Sequence, residues 1–140
     1  MKYLQIIVAT TLAFGLVACK SSASYDAAEL DQPLSSIKNP GLLNAAIMKR
    51  IIGKKVSNKI ISGVMSKDNK ITGILLKNGT PFLGRWHLIR GKYCSSFYKG
   101  LHIKHACTNL RPILNKKGKI TAIETLFYGK PVVYQLASPA

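Results

Sequence analysis

Three residues in the second half of the chain, His102, His105 and Cys107, form the spacing H-x-x-H-x-C. Imidazole and thiolate groups are good ligands for zinc and copper, so the cluster has the parts of a metal site. However, a single strand would point His102 and His105 to opposite faces, and a disulfide would consume Cys107. We therefore expect no metal ion here.

The side chains needed for a ribonuclease-like reaction are also present, namely His87, His102, His105 and Lys104. That chemistry needs a histidine pair around a phosphate and a cation that stabilises the transition state. Nothing in the sequence shows that these residues converge. A Gly-rich phosphate loop, a serine-nucleophile motif and a dinucleotide fingerprint are all missing from the sequence. We expect no catalytic residue and no cofactor, and a secreted nuclease-like hydrolase using His102 and His105 is the enzymatic alternative.

Cys94 and Cys107 enclose 12 residues. In an exported domain they meet an oxidising compartment, which favours a disulfide between them. Neighbouring strands would give the bond a feasible geometry, and closing a loop of this length stabilises a fold by about 3 kcal/mol. The alternatives are two free buried thiols or two metal ligands.

Aromatic and cationic residues alternate around this cysteine pair. Such a mixture can bind single-stranded nucleic acid by stacking and charge. It also fits a sheet with Trp86 and Leu88 on an inner face and Arg85 and His87 on the outer one, the interpretation we favour. Export argues against nucleic acid as a partner, outside DNA uptake or conjugation. The candidate binding residues are Arg85, Trp86, Arg90, Lys92, Tyr93, Tyr98 and Lys99.

Residues 1–18 are predicted to be a secretory signal peptide. Lys2 precedes an apolar run over residues 4–16, which is shorter than the about 20 residues that a membrane-spanning helix needs. The run ends in LVAC, at Cys19, and this pattern resembles the bacterial lipobox. The resemblance implies cleavage before Cys19, a diacylglycerol on its sulfur and an acyl chain such as palmitate on its new amino group. The residue after Cys19 is Lys20, and by analogy with enteric bacteria a lysine at this position favours export of the lipoprotein to the outer membrane. An ordinary signal peptide with Cys19 free is the alternative.

The elements after the leader follow from composition and periodicity. Residues 19–40 are small, polar and interrupted by Pro33 and Pro40, which predicts a lipidated cysteine and a flexible tether. Residues 41–52, GLLNAAIMKRII, carry apolar side chains at helical spacing and predict an amphipathic helix that stops at Gly53. We favour packing of this helix on a sheet over a position on an anionic membrane.

From residue 56 onward the pattern changes to short β-branched runs between polar turns. Asn78-Gly79 between two apolar runs is a strong hairpin signal. Near-regular spacing favours an antiparallel meander or a small, partly open barrel, and one preceding helix makes the class α+β. Residues 41–140 are therefore predicted to be a single basic domain. Its predicted strands are 59–65, 71–77, 82–90, 93–98, 102–109, 119–128 and 131–136.

The chain is strongly basic, with a formal net charge of +16. From residue 32 onward, 19 lysines and arginines face only Asp68 and Glu124, which gives +17. Such a domain repels itself unless its charges are spread or matched by anions. Phosphate, lipopolysaccharide, acidic phospholipid and nucleic acid are candidate partners, although the charge can also serve solubility alone.

Several short motifs occur between residues 51 and 114: Ile52-Gly53 after the helix, Lys77-Asn78-Gly79 at a hairpin tip, Gly84-Arg85-Trp86 on a strand, Gly91-Lys92-Tyr93-Cys94, and Cys107. With these motifs the span resembles a family of small secreted proteobacterial proteins of unknown function. The resemblance implies a β-rich exported domain with one disulfide and no catalytic residues.

We therefore expect a non-catalytic protein anchored by lipid to the outer membrane, on its periplasmic or surface face. Its expected role is binding or structural support, through contacts with anionic envelope polymers or an envelope protein. A small lipoprotein subunit of a secretion or conjugation system is the second alternative, beside the hydrolase.

Overall fold

The computed structural model describes residues 25–140, so the predicted leader, Cys19 and the start of the tether lie outside the described residues. Two helices, one 3-10 turn and nine strands make up this part of the chain. No helix within residues 25–140 has the length and apolar character needed to cross a bilayer. The elements are α1 Ala27–Leu30, the 3-10 turn Leu34–Ser36, α2 Pro40–Ile51, β1 Lys55–Ser57, β2 Ile61–Met65, β3 Lys70–Leu75, β4 Pro81–Ile89, β5 Lys92–Lys99, β6 Ala106–Thr108, β7 Arg111–Leu114, β8 Ile120–Phe127 and β9 Lys130–Leu136.

The strands form one antiparallel sheet in the order β6-β5-β4-β3-β2-β1-β9-β8-β7. The first strand of the sequence pairs with the last, Val56 lying opposite Leu136. The two edge strands, β6 and β7, are consecutive in the chain and are joined only by Asn109 and Leu110. The sheet must curl for its two edges to meet at this joint. The predicted α+β class and antiparallel, partly open barrel are thus confirmed at this level.

Each of the seven predicted strand segments overlaps an observed strand. The predicted segment 102–109 shortens to the three residues of β6, and residues 100–105 form a loop. Two strands were missed, β1 and β7. Both have only three or four residues, too few to show a period.

Helix α2 closes one end of the barrel. Asn39 caps its first turn by accepting a hydrogen bond from the Leu42 amide, and Pro40 occupies the first helical position, where no amide is needed. Ile47 and Ile51 are fully buried beneath the sheet. The prediction that this helix would pack on the sheet is therefore confirmed.

The residues before α2 also belong to the folded unit. Asp26 and Glu29 form a reciprocal capping box around α1, and Lys49 of α2 pairs with Asp31 at 2.9 Å. Leu34 and Ile37 are buried in the core. The sequence predicted a flexible tether up to residue 40, and the structure differs. Leu34 and Ile37 are buried only because α2 folds beside them, and the local sequence does not show that contact.

Two phenylalanine rings cross the inner face of the sheet. The rings of Phe82 and Phe97 meet edge to face, with centroids 5.8 Å apart. A methyl group on Gly73 would overlap the Phe82 ring, and one on Gly84 would overlap the Phe97 ring. The two glycines therefore make room for the aromatic side chains that pack inside the barrel.

Candidate ligand-binding cavity

The interior of the curled sheet holds a cavity of about 330 Å³. Met48 of α2 lies at its closed end, and its walls come from the inner faces of the strands. Among residues 25–140, no lysine, arginine, histidine or acidic residue lines the cavity. Well-packed interiors contain few voids larger than a water molecule, so a space of this size is not ordinary packing. Its walls can accept the apolar part of another molecule.

Apart from Asn58, hydroxyl groups supply the polar side chains of the cavity lining. Tyr93 donates a hydrogen bond to the Met65 sulfur at 3.3 Å, and Tyr134 lies on the same lining. Burial raises the pKa of Tyr93, and the nearby Tyr134 adds to the rise. Burial also raises the pKa of Tyr134. Both phenols therefore stay neutral at physiological pH. The hydroxyl of Tyr93 can accept a hydrogen bond while it donates to Met65, and those of Tyr134, Ser95 and Thr125 can donate or accept one.

The large apolar lining residues that are exposed, Ile60, Leu126 and Phe127, lie at the end of the barrel opposite α2, which we call the mouth. Four strand connections meet there: β1–β2 at residues 58–60, β3–β4 at 76–80, β5–β6 at 100–105 and β8–β9 at 128–129. The Leu76 amide donates to the Ile60 carbonyl at 2.8 Å and joins the first two. The lining includes Asn58, Ile60, Leu101 and Ile103 from these connections.

A gap in the strand pairing borders the mouth. Strand β6 pairs only with Tyr93–Ser95 of β5, and β7 pairs only with Ile120–Glu124 of β8. Ser96–Lys99 and Thr125–Phe127 therefore lack a strand partner on their facing sides within the described fold. Within residues 25–140, the tip of the β8–β9 hairpin has no strand partner other than its own two strands, and Leu126 and Phe127 from this tip line the cavity.

The mouth combines cations with exposed apolar side chains. Leu126 is 56% exposed, Ile60 67% and Tyr128 74%. The four connections and the residues that flank them contain no aspartate or glutamate. Large apolar side chains exposed in a continuous group mark interaction sites. The lysines of the mouth are Lys59, Lys77, Lys99, Lys104 and Lys130.

The candidate binding residues predicted from sequence do not form one site. Trp86 is buried and donates from its indole nitrogen to the Ser66 carbonyl at 3.0 Å, so it belongs to the core. Tyr93 lines the cavity. The other five are exposed: Arg85, Arg90, Lys92, Tyr98 and Lys99. The predicted inner and outer faces of β4 are confirmed, because Trp86 is buried and Arg85 is exposed.

The disulfide between Cys94 and Cys107 is present and confirms the prediction. The two residues lie directly opposite each other and fasten β6 to β5. A ring nitrogen of His105 lies within 4.8 Å of both sulfur atoms, whereas His102 is not part of this group. A metal could use these three residues only after reduction of the disulfide.

Comparisons of the chain with protein-family models, with curated proteins and with solved structures gave no match. The resemblance seen in the Gly84-Arg85-Trp86 and cysteine motifs therefore stays a prediction.

Proposed function

We propose that this protein is a non-catalytic ligand-binding protein of the cell envelope, which holds the apolar part of a small molecule inside its barrel. The observation that supports this proposal is the uncharged cavity of about 330 Å³, open at one end. Ligand sites are mostly apolar clefts of about 300–1,000 Å³ with a few placed polar groups. The hydroxyl groups of Tyr93 and Tyr134 are polar groups of that kind.

The proposal places the domain at the outer membrane, attached through lipid on Cys19. Its support is the leader sequence that ends in LVAC. Several acyl chains on one residue give stable anchoring, where a single chain gives only marginal binding. The Cys94–Cys107 disulfide fits export to an oxidising compartment. The exposed cations of the domain provide the contacts with anionic envelope polymers that we expect from the sequence.

No reaction is part of this proposal. His102 and His105 lie in the exposed β5–β6 loop and are not part of the cavity lining. The hydrolase alternative requires that replacing both histidines by alanine abolish a measured nuclease activity.

A second candidate function is that of a subunit in a secretion or conjugation system. Ser96–Lys99 of β5 and Thr125–Phe127 of β8 present unpaired backbone edges on either side of the gap. Such edges accept a strand from a partner chain. A partner strand there would occupy the mouth of the cavity.

Mass spectrometry of what the protein carries distinguishes these functions. The full-length chain is expressed with its leader and purified from the membrane fraction, and its ligands are extracted with organic solvent. We expect one small apolar molecule per chain. Thr125→Trp places an indole on the cavity wall and should remove the ligand. Thr72→Trp is the matched control, because Thr72 is exposed on the outer side of β3.

Equal ligand content in the two tryptophan variants would contradict the proposal. The second candidate would be favoured by a different result. The wild-type chain would then carry an envelope protein and no small molecule, and the Thr125→Trp variant would no longer bind that protein.

A further inference from the structure

We infer that the ligand is a single acyl chain with an anionic head group, its chain inside the barrel and its head on the lysines of the mouth. The inference rests on the proposed ligand-binding function and names the class of ligand. Three features lead to it: the uncharged lining, the composition of the mouth and the size of the cavity.

The composition of the lining determines where the charged head group of a ligand can be placed. Inside the barrel the polar groups are neutral hydroxyls such as those of Tyr93 and Ser95, and the part of the chain that the structure describes places no cation on the cavity lining. Burying an unpaired charge among such groups is costly. A charged head group must therefore remain at the mouth while the apolar part enters.

The mouth decides the sign of that charge. Lys59, Lys77 and Lys104 lie in three of its connections, and Lys130 directly follows the fourth. The two acids of the sheet lie elsewhere. Asp68 pairs with Lys70 in the β2–β3 region, and Glu124 pairs with Arg111 on the side of the barrel. Of the charged side chains between residues 25 and 140, an anion at the mouth meets only cations, whereas a cationic head would be repelled.

Charge alone does not select this end, because the opposite end also carries Lys67, Arg90, Lys116, Lys117 and Lys119. The mouth differs because two of its lysines adjoin exposed residues of the cavity lining: Lys59 directly precedes Ile60, and Lys130 lies opposite Phe127 in the β8–β9 hairpin. Cations next to apolar side chains match an amphiphile, in which a charge is attached to a hydrocarbon chain. This contrast also supplies a matched control.

The size of the cavity favours one chain over two. Its volume of about 330 Å³ lies at the lower end of the range typical of small-molecule sites. A fatty acid places one chain there, whereas a phospholipid has a second chain to accommodate.

Photolabelling of the full-length chain in vesicles of neutral phosphatidylcholine tests the inference. One probe is a long-chain fatty acid with a diazirine near the end of its chain, and the second is the alcohol of the same length. We expect the acid to label residues of the cavity lining about tenfold more than the alcohol does at low salt, since two or three exposed charge contacts give an effect of that order. The excess should shrink at high salt.

Charge reversal then locates the head group. The variant Lys59→Glu/Lys104→Glu/Lys130→Glu should label with the acid no more than with the alcohol. The matched variant Lys67→Glu/Lys116→Glu/Lys117→Glu changes the same charge at the opposite end and should retain the preference.

Each other result has a distinct meaning. Equal cavity labelling by acid and alcohol would overturn the anionic head while leaving the ligand-binding function intact. Cavity labelling by photoreactive phosphatidylglycerol in preference to the acid would overturn the single chain. Labelling confined to the outer surface with every probe would overturn the ligand-binding function itself.

Discussion

Asn44 shows how one polar side chain can fix the arrangement of several elements. It is buried in α2, donates to the Gly91 carbonyl at 2.7 Å and accepts from the Leu110 amide at 2.8 Å. The first contact holds the β4–β5 turn and the second holds the joint between the two sheet edges. Its partners are 47 and 66 residues away in the chain, so the local sequence carries no signal of this role.

Replacing Asn44 by alanine should lower the free energy of unfolding by about 2–3 kcal/mol, because buried backbone groups lose their partners. Urea denaturation measures the change. Asn78→Ala is a suitable control, since Asn78 makes its hydrogen bond in an exposed turn. A loss at Asn44 no larger than the loss at Asn78 would show that the joint does not depend on this contact.

Tyr93 should make the fold sensitive to alkaline pH. Burial raises its pKa above the ordinary value of 10.0 that it regains on unfolding. The folded state therefore holds this proton more tightly than the unfolded state does. Stability from this difference is intact below pH 10 and is lost as the pH rises above it.

The variant Tyr93→Phe isolates that effect. Between pH 10 and 11 the wild-type free energy of unfolding should fall more steeply than that of the variant, by up to about 1.4 kcal/mol per pH unit. Parallel urea titrations of the two proteins give the difference and cancel the contribution of the lysines. Parallel pH profiles would mean that the Tyr93 hydroxyl is not held in an apolar setting.

At the scale of elements, β6 depends on a covalent bond. It has three residues and pairs with β5 over three positions. The predicted strand 102–109 was longer because alternating residues continue through the loop. In the structure β6 covers only the half of β5 nearest the closed end, which leaves the gap beside the mouth.

Removing the disulfide with Cys94→Ser/Cys107→Ser should destabilise the domain by about 3 kcal/mol in the chain-entropy model. Amide hydrogen exchange should rise most in Ala106–Thr108, since the bond fastens this strand. The central strands β3 and β4 serve as the internal control. Uniform acceleration of exchange across the sheet would indicate global opening instead.

Local pattern predicts the longer elements of this fold well. Asn78-Gly79 was expected at a hairpin tip, and it lies in the connection between β3 and β4. Strand β7 was not predicted because Pro112 interrupts its short run of β-forming residues. Proline is found in sheets mainly on edge strands. In this sheet β7 is an edge strand.

At the scale of the whole molecule, the cavity was beyond prediction from sequence. Its walls are the inner faces of strands in which buried and exposed residues alternate as expected. The volume enclosed by these walls depends on how tightly the sheet curls. That curvature follows from the pairing of β1 with β9 and from the two-residue joint at Asn109 and Leu110. Both are long-range relations. Tyr93 was singled out for its position among cations and instead lines the interior.

The unbalanced charge predicts a response to salt. The five acids from residue 25 onward already engage a cap or an ion pair, so most cations face one another across the surface. We expect the melting temperature to rise between 10 and 300 mM salt, because screening weakens this repulsion more than it weakens three exposed pairs. Calorimetry checks the sign, and a falling melting temperature would show that attractive pairs dominate.

The N-terminal segment joins the barrel at its closed end, beside α2. Even fully extended, the stretch from Cys19 to Tyr25 covers only about 20 Å, whereas the nine residues of β4 are about 30 Å long and span roughly 23 Å along the axis of a barrel whose strands tilt by about 40°. A lipid on Cys19 would thus hold the domain with its entrance directed away from the bilayer to which it is attached. A single-chain ligand would then reach the mouth through the aqueous phase, as the probes of the photolabelling experiment do, because one acyl chain binds a bilayer only marginally and reversibly.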